Sequence, residues 1–287
     1  MTTSSWSSTV SVVDTAAFRT TGLEISNKFA EIGLVKTSDT GQIDWATVNK
    51  AASNNYAGYE IWRFNDSLQS TAPIFFKIEY GTVATNSLGV RVTISTGTNG
   101  AGGLTGLVGT AITCHYSATP NTSNSYPSYF CHTEGFLGVV FKMRSLGTTY
   151  PIFSFAISRT CNPDGSPNGV GCIGLFFTYQ QPAVQCINFS TNYVNYTTSA
   201  ESCSIPQSIT SSAIGADQQV FLNWFALPKV QPCFSLATVI KSEFTEATTF
   251  QTALIGTTLR TFISVDLGLG KGASNSANNY GYAMIWE

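Results

Sequence analysis

A chain of 287 residues with a net charge of −2 and a pI near 5.7 carries no electrostatic footprint for nucleic acid or an anionic membrane surface. Only 10% of its residues are charged, while 43% are hydrophobic and 13% aromatic. That balance excludes a disordered chain, and it leaves a neutral, hydroxyl-rich, aromatic surface of the kind found against other subunits or outside cells.

The length accommodates one large all-β domain or two smaller ones, each able to bury a core. The opening Met1–Asp14 has neither the basic nor the apolar region of a signal peptide, and no run reaches the ~18–20 apolar residues of a membrane helix. Folding in a cytosol without membrane insertion is therefore expected. The seven cysteines (Cys114, Cys131, Cys161, Cys172, Cys186, Cys203 and Cys233) show no short repeating spacing. In a cytosolic product they are expected as buried thiols, with Cys161/Cys172 the best disulfide candidate otherwise.

Along the chain, Ser8–Val13 is a short β-prone run. Asp14 is an N-cap type, and Phe18, Ile25, Phe29 and Ile32 fall on one helical stripe that Gly33 can close in the left-handed conformation. Gly22 weakens the middle of that helix. An extended segment with a turn at Asp39–Gly41 leads to Trp45, and Ala52–Ala57 is a polar link. Tyr59–Phe64 then alternates Tyr59, Ile61 and Arg63 against Glu60, Trp62 and Phe64, and Ile74–Tyr80 alternates likewise. Asn65–Ser67 and Thr71–Pro73 supply turn chemistry between these two strands. Val90–Ile94 is a third strand, and Gly97–Gly106 is a glycine-rich tip.

Cys114–Phe130 reads as an exposed excursion rich in Ser, Asn, Pro and Tyr. Phe136–Met143, Ile152–Ser158 and Cys172–Tyr179 are strands, the last two forming a hairpin with an elaborate tip. Asn188–Ser212 holds short extended pieces at best. Val220–Leu227, Phe234–Ile240, Leu259–Leu267 and Tyr280–Trp286 complete the strands. The expected fold is all-β: an antiparallel β-sandwich or jelly-roll-like domain with one N-terminal α-helix and long loops. Residues 1–50 read as a strand–helix arm suited to docking, and residues 51–287 as the sandwich, with a loop-rich insertion over about 114–214.

Chemistry-bearing patterns are few. The glycine tip lacks the GK[ST] ending of a phosphate loop. Cys114-His115 and Cys131-His132 offer four soft ligand types. Adjacent residues on a strand point to opposite faces, so only one of each pair reaches a common metal, and no metal is expected. The preferred reading is that both pairs edge one exposed loop. Neither histidine sits in a Ser-His-Asp context. Glu134 with Asp164, or Glu243 with Glu246, could pair as carboxylates, but sixteen acids give such pairs by chance. No catalytic residue, cofactor or enzymatic activity is expected. Tyr116, Tyr126, Tyr129, Tyr193 and Tyr196, set among small polar residues, are candidate recognition side chains in exposed loops. They fit equally well as packing against each other or a neighbouring subunit.

The runs GLVKTSDTGQIDW (Gly33–Trp45), GYEIWRFNDSLQSTAPIFFKIEYG (Gly58–Gly81) and VTISTGTNGAGGLTG (Val92–Gly106) resemble a recurring type of tailed-bacteriophage structural protein. The resemblance covers about residues 1–110, and the terminal GYAMIWE suits it. Its motifs are sheet and turn signatures without site residues. It implies a non-enzymatic virion component, assembled as a homo-oligomer with other virion proteins after synthesis in the host cytoplasm. A tail-tip part or fibre-like adhesin touching a host-surface glycan or protein is favoured over a capsid decoration or head fibre. The competing classes are a carbohydrate-active β-sandwich enzyme (a depolymerase) and a secreted lectin.

Overall fold

The computed structural model describes residues 2–8, 12–83, 86–114, 126–145, 148–162, 164–177, 182–189, 193–197, 220–222, 236–240, 247, 249–253, 259–265 and 280–287. Strand β1 (Thr2–Ser8) precedes helix α1 (Thr15–Glu31) and the short β2 (Val35–Lys36). Then come β3 (Asn55–Arg63), β4 (Phe75–Val83), β5 (Ser87–Thr98), β6 (Leu104–Leu107) and β7 (Ile112–Cys114). A second run follows: β8 (Tyr126–Thr133), β9 (Phe136–Ser145), β10 (Thr148–Cys161), β11 (Pro167–Phe177), β12 (Pro182–Asn188) and β13 (Tyr193–Thr197). The last strands are β14 (Val220–Leu222), β15 (Leu236–Ile240), β16 (Thr249–Ala253), β17 (Leu259–Val265) and β18 (Tyr280–Ile285). The chain is all-β, with one helix among the described residues.

Three antiparallel sheets result. The first runs β2-β3-β4-β5-β6, with β7 also pairing β5. The second runs β1-β8-β9-β10-β11-β12-β13, and the third β14-β15-β18-β17-β16. Consecutive strands are mostly neighbours, so the sandwich is built from meanders. The second sheet is the middle layer, which explains why the sequence understates it. Phe130, Leu137, Val139, Phe155 and Phe176 join the core shared with α1 and the first sheet. On the opposite face, Gly138 lies against Met284, and Tyr129 meets Trp286 edge-on at 5.8 Å. Strands buried on both faces lose the apolar–polar alternation by which a strand is recognised.

Helix α1 forms where the stripe places it. The Asp14 carboxylate accepts from the Ala17 N–H at 2.8 Å, and Gly33 closes the helix at φ +86. Phe29 touches both sheets at once: its ring lies 5.5 Å from Trp62, 5.7 Å from Phe76 and 5.9 Å from Phe130. The apolar stripe of Phe18, Ile25, Phe29 and Ile32 faces the core.

Several local readings change. The first strand is Thr2–Ser8, and of the run expected over Ser8–Val13 residues 9–11 lie outside the described residues, while Val12 is buried in the core. The link at Ala52–Ala57 already pairs from Asn55. The excursion over Cys114–Phe130 is bounded by buried strand at both ends, since Cys114 closes β7 and Ser128–Thr133 are all buried in β8. The Cys131-His132 pair lies inside that strand, not at an exposed loop edge. Cys161 and Cys172 do not face each other, because the β10–β11 register sets Cys172 opposite Arg159 and Cys161 opposite Pro167. Cys114 and Cys131 are free thiols and buried.

Gly22 turns out to be required where the sequence marked it as a weakness. A Cβ there would lie 2.0 Å from the Trp45 ring, which packs across the helix onto Phe18 at 5.7 Å. Gly22→Ala raises helix propensity by up to ~1 kcal/mol, yet the overlap with Trp45 costs about 1–3 kcal/mol. The variant is expected to unfold at lower urea concentration than the wild type. A rise in the urea midpoint would show that Trp45 does not pack there.

Candidate functional site

The strongest concentration of polar chemistry is inside the molecule. Glu60 stands in β3 on the same face as Trp62 and Phe64, and it is fully buried. Its Oε1 accepts from Ser26 Oγ at 2.8 Å, Lys36 Nζ at 2.7 Å and Trp45 Nε1 at 3.0 Å. Its Oε2 accepts from Tyr80 OH at 2.7 Å and Trp62 Nε1 at 3.2 Å. Five donors from α1, β2, the segment before β3, β3 itself and β4 thus converge on one carboxylate. Lys36 supplies the compensating charge and is itself one-third exposed. Burial, reinforced by Glu60, raises the Tyr80 hydroxyl well above its ordinary value, so it stays protonated and donates. With both oxygens engaged, this carboxylate is held as a structural anchor.

A second buried charge joins the first two sheets. Arg159 of β10 grips Asp66 through Nε at 2.6 Å and Nη2 at 2.8 Å, and its Nη1 donates to the Ala72 carbonyl at 2.6 Å. Both side chains are almost wholly excluded from solvent. In the same connector Ser67 donates through its N–H to Glu134 at 2.9 Å, and its hydroxyl donates to the same oxygen. The turn residues between β3 and β4 therefore dock the first sheet onto the β8–β9 turn and β10.

The glycine-rich tip has a comparable role. Asn99 Oδ1 accepts the N–H groups of Ala101 and Gly103, and the tip folds back over the outer face of the first sheet. There Lys77 Nζ, 3.8 Å from the centre of the Tyr59 ring, donates to the Gly102 carbonyl at 2.9 Å. Gly102, at φ +81, also has no room for a Cβ against the Tyr59 hydroxyl. Asp39 accepts from Gly102 N–H at 3.2 Å and from Thr98 Oγ1 at 3.0 Å. Burial opposes its ionisation, but these bonds, with those from Thr37 and Gly100, hold its pKa below the usual value.

The candidate recognition tyrosines do not gather. Tyr129 is 3% exposed, turned onto Trp286 between the second and third sheets, so it is corrected from recognition residue to core residue. Tyr126 lies on β8, and Tyr193 and Tyr196 lie on β13 opposite Asn188 and Gln185, in strands and not in loops. Tyr116 and His115 lie outside the described residues, as do Glu243 and Glu246. Glu134 is held by Ser67, while Asp164 accepts from its own turn at Ser166, through the hydroxyl at 2.6 Å and the N–H at 2.9 Å. Burial drives the Cys131 thiol up to about 12 and Cys114 higher still, so neither is a thiolate near neutrality. Among the described residues no three His, Cys, Asp or Glu side chains come together as a metal set, and no helix is long and apolar enough to cross a membrane.

His132 is the remaining buried titratable group. Its Nδ1 meets the Ile32 carbonyl at 3.2 Å, so the neutral ring carries its proton there, and its buried Nε2 has no partner. The ring packs edge-on to Phe64 at 5.2 Å. Compared with protein-family models, curated proteins and solved structures, the chain matches none of them.

Two outcomes follow from this chemistry. Glu60→Gln removes the ion pair with Lys36 and sets an amide N–H₂ against donors. It is expected to destabilise the fold by about 3–5 kcal/mol, the range for breaking a buried pair, as read by urea denaturation. An unchanged midpoint would remove the carboxylate from its anchoring role. Burial lowers the His132 pKa below 6.5, against the hydrogen bond to Ile32 and the charges of Asp66 and Glu134, with the chain's amino terminus lowering it further. The unfolded chain then binds the proton first. Stability is complete above pH 6.5 and declines as the pH falls toward the depressed folded value. His132→Gln should flatten that decline, measured as urea midpoint against pH. An equal slope in both proteins would exclude His132 as its source.

Proposed function

We propose that the chain is a non-enzymatic structural component of a tailed-phage virion, tail-associated and assembled as a homo-oligomer. The observation that carries this reading is the resemblance of Gly33–Trp45, Gly58–Gly81 and Val92–Gly106 to structural proteins of such particles. Two features support it. The buried carboxylates of Glu60 and Asp66 are saturated by internal donors, so their chemistry is spent on holding sheets and helix together. A charged fraction of only 10% suits a protein whose surface is largely covered by other subunits, since interface cores are depleted of charge. Closed symmetry is the expected form of self-association.

Immunogold electron microscopy of purified particles, using antibody against the recombinant chain, tests the reading. Label at the tail end is expected. Label spread over the head would make the chain a capsid decoration or head fibre, and absence of label from every particle would overturn the virion assignment.

A further inference from the structure

Strand β1 is unlike its neighbour β8 in the middle sheet. Its sequence, Thr2-Thr3-Ser4-Ser5-Trp6-Ser7-Ser8, has no apolar alternation, and its described side chains, Thr2–Ser5, are exposed or half-exposed. It is held by a seven-residue backbone ladder to β8, from Thr2 opposite His132 to Ser8 opposite Tyr126, and by Ser4 Oγ donating to Glu31 at 2.6 Å. Strand β8 is the reverse: every residue from Ser128 to Thr133 is buried. A strand so buried needs a neighbour on its free edge, because bare N–H and C=O groups beside an apolar interior are costly. Over Thr2–Ser5 the ladder it needs carries no apolar side-chain signature. A polar strand specifies neither register nor partner strongly, so the same residues from another copy satisfy β8 equally well.

We propose that β1 is exchanged between copies, the N-terminal strand of one chain lying along β8 of the next. This rests on the homo-oligomeric reading above and supplies its contact. The bonds made are those of the closed chain, so the choice is set by effective concentration and not by new contacts. Val12 is anchored in the core, so the reach available beyond it is the chain from Ser8 to Val12, at most ~14 Å. Exchange therefore joins copies that sit edge to edge.

The register provides the test. Ser7 faces Pro127, which has no N–H to give, as suits a non-hydrogen-bonded position where facing residues approach most closely. Chains carrying only Ser7→Cys and chains carrying only Pro127→Cys are co-expressed, oxidised and run on a non-reducing gel with peptide mapping. The chain bearing both substitutions is treated in parallel. A disulfide joining the introduced thiols of the two singly substituted chains, with covalent oligomers of the doubly substituted one, is the expected result. A disulfide closed within the doubly substituted chain, in protein that still sediments as an oligomer, would overturn exchange and leave self-assembly standing. The same closure in a monomer would overturn both. No disulfide in either sample, with native thermal unfolding retained, would show that β1 does not occupy β8 and would also overturn the proposal. Should either substitution prevent folding, a photo-crosslinking residue at the exposed Ser5 gives the same reading from a single site. A covalent dimer supports exchange, and a crosslink confined to one chain overturns it.

Discussion

One carboxylate sets the geometry of the first sheet and the helix. Glu60 is fully buried and bonded to donors from α1, β2, the Trp45 segment, β3 and β4, so moving any one of these leaves an unsatisfied group in an apolar interior. Such a network adds little net stability compared with a well-packed hydrophobic replacement, because desolvating the ions offsets their attraction. It does penalise alternatives. A one-residue slip of β3 against β4 would carry Glu60 out of the core and leave the Ser26 hydroxyl, the Trp45 indole N–H and the Tyr80 phenol without their acceptor. Here the polar network and the hydrophobic pattern specify the same register. Gly22 belongs to the same arrangement, since only a residue without a Cβ lets Trp45 cross the helix to reach Glu60.

The join between the first and middle sheets follows related logic with a different outcome. Arg159 and Asp66 are a bidentate pair with almost no solvent contact, and the third guanidinium nitrogen satisfies the Ala72 carbonyl. An irregular connector such as 64–74 carries backbone groups that burial would orphan. The guanidinium and Glu134 supply their partners, allowing a non-repetitive segment to lie against the sheet edge. Among the described residues the third sheet meets the middle one with Met284 over Gly138 and Trp286 beside Tyr129. The central strands are therefore enclosed on two sides by different means.

This division explains what could be read in the amino-acid order. The α1 stripe, its Asp14 cap and its Gly33 stop were legible, because each obeys a local rule that burial on one side does not disturb. So were β3, β4 and β5, whose alternation reports one buried face. Strand β8 was not: Ser128 through Thr133 are buried on both faces and rich in Tyr, Cys and His, so they look like loop by composition while packing as core. Tyr129 is for that reason a core residue that its sequence neighbours present as a loop residue. Glu60 lay in plain view on the Trp62 face, and a carboxylate on the apolar side of an alternating strand, with Trp, Tyr and Lys in reach, was the signal that could have revealed the anchor. The partners of Asp66 were not legible at all, since Arg159 lies 93 positions away and only the tertiary fold brings them together.

Strand β1 stands at the other extreme from β3. In β3 the side chains decide the register and the ladder follows. In β1 the described side chains, Thr2–Ser5, are exposed or half-exposed, and there Thr and Ser contribute β-compatible shape. A fold that closes its middle sheet with such a strand leaves that closure open to substitution by any equivalent strand, whereas the Glu60 and Arg159 anchors permit no comparable exchange within the body. That separates a rigid, over-determined interior from an interchangeable edge. Under the strand exchange proposed above, that contrast would let copies be joined through the edge while the interior stays as it is.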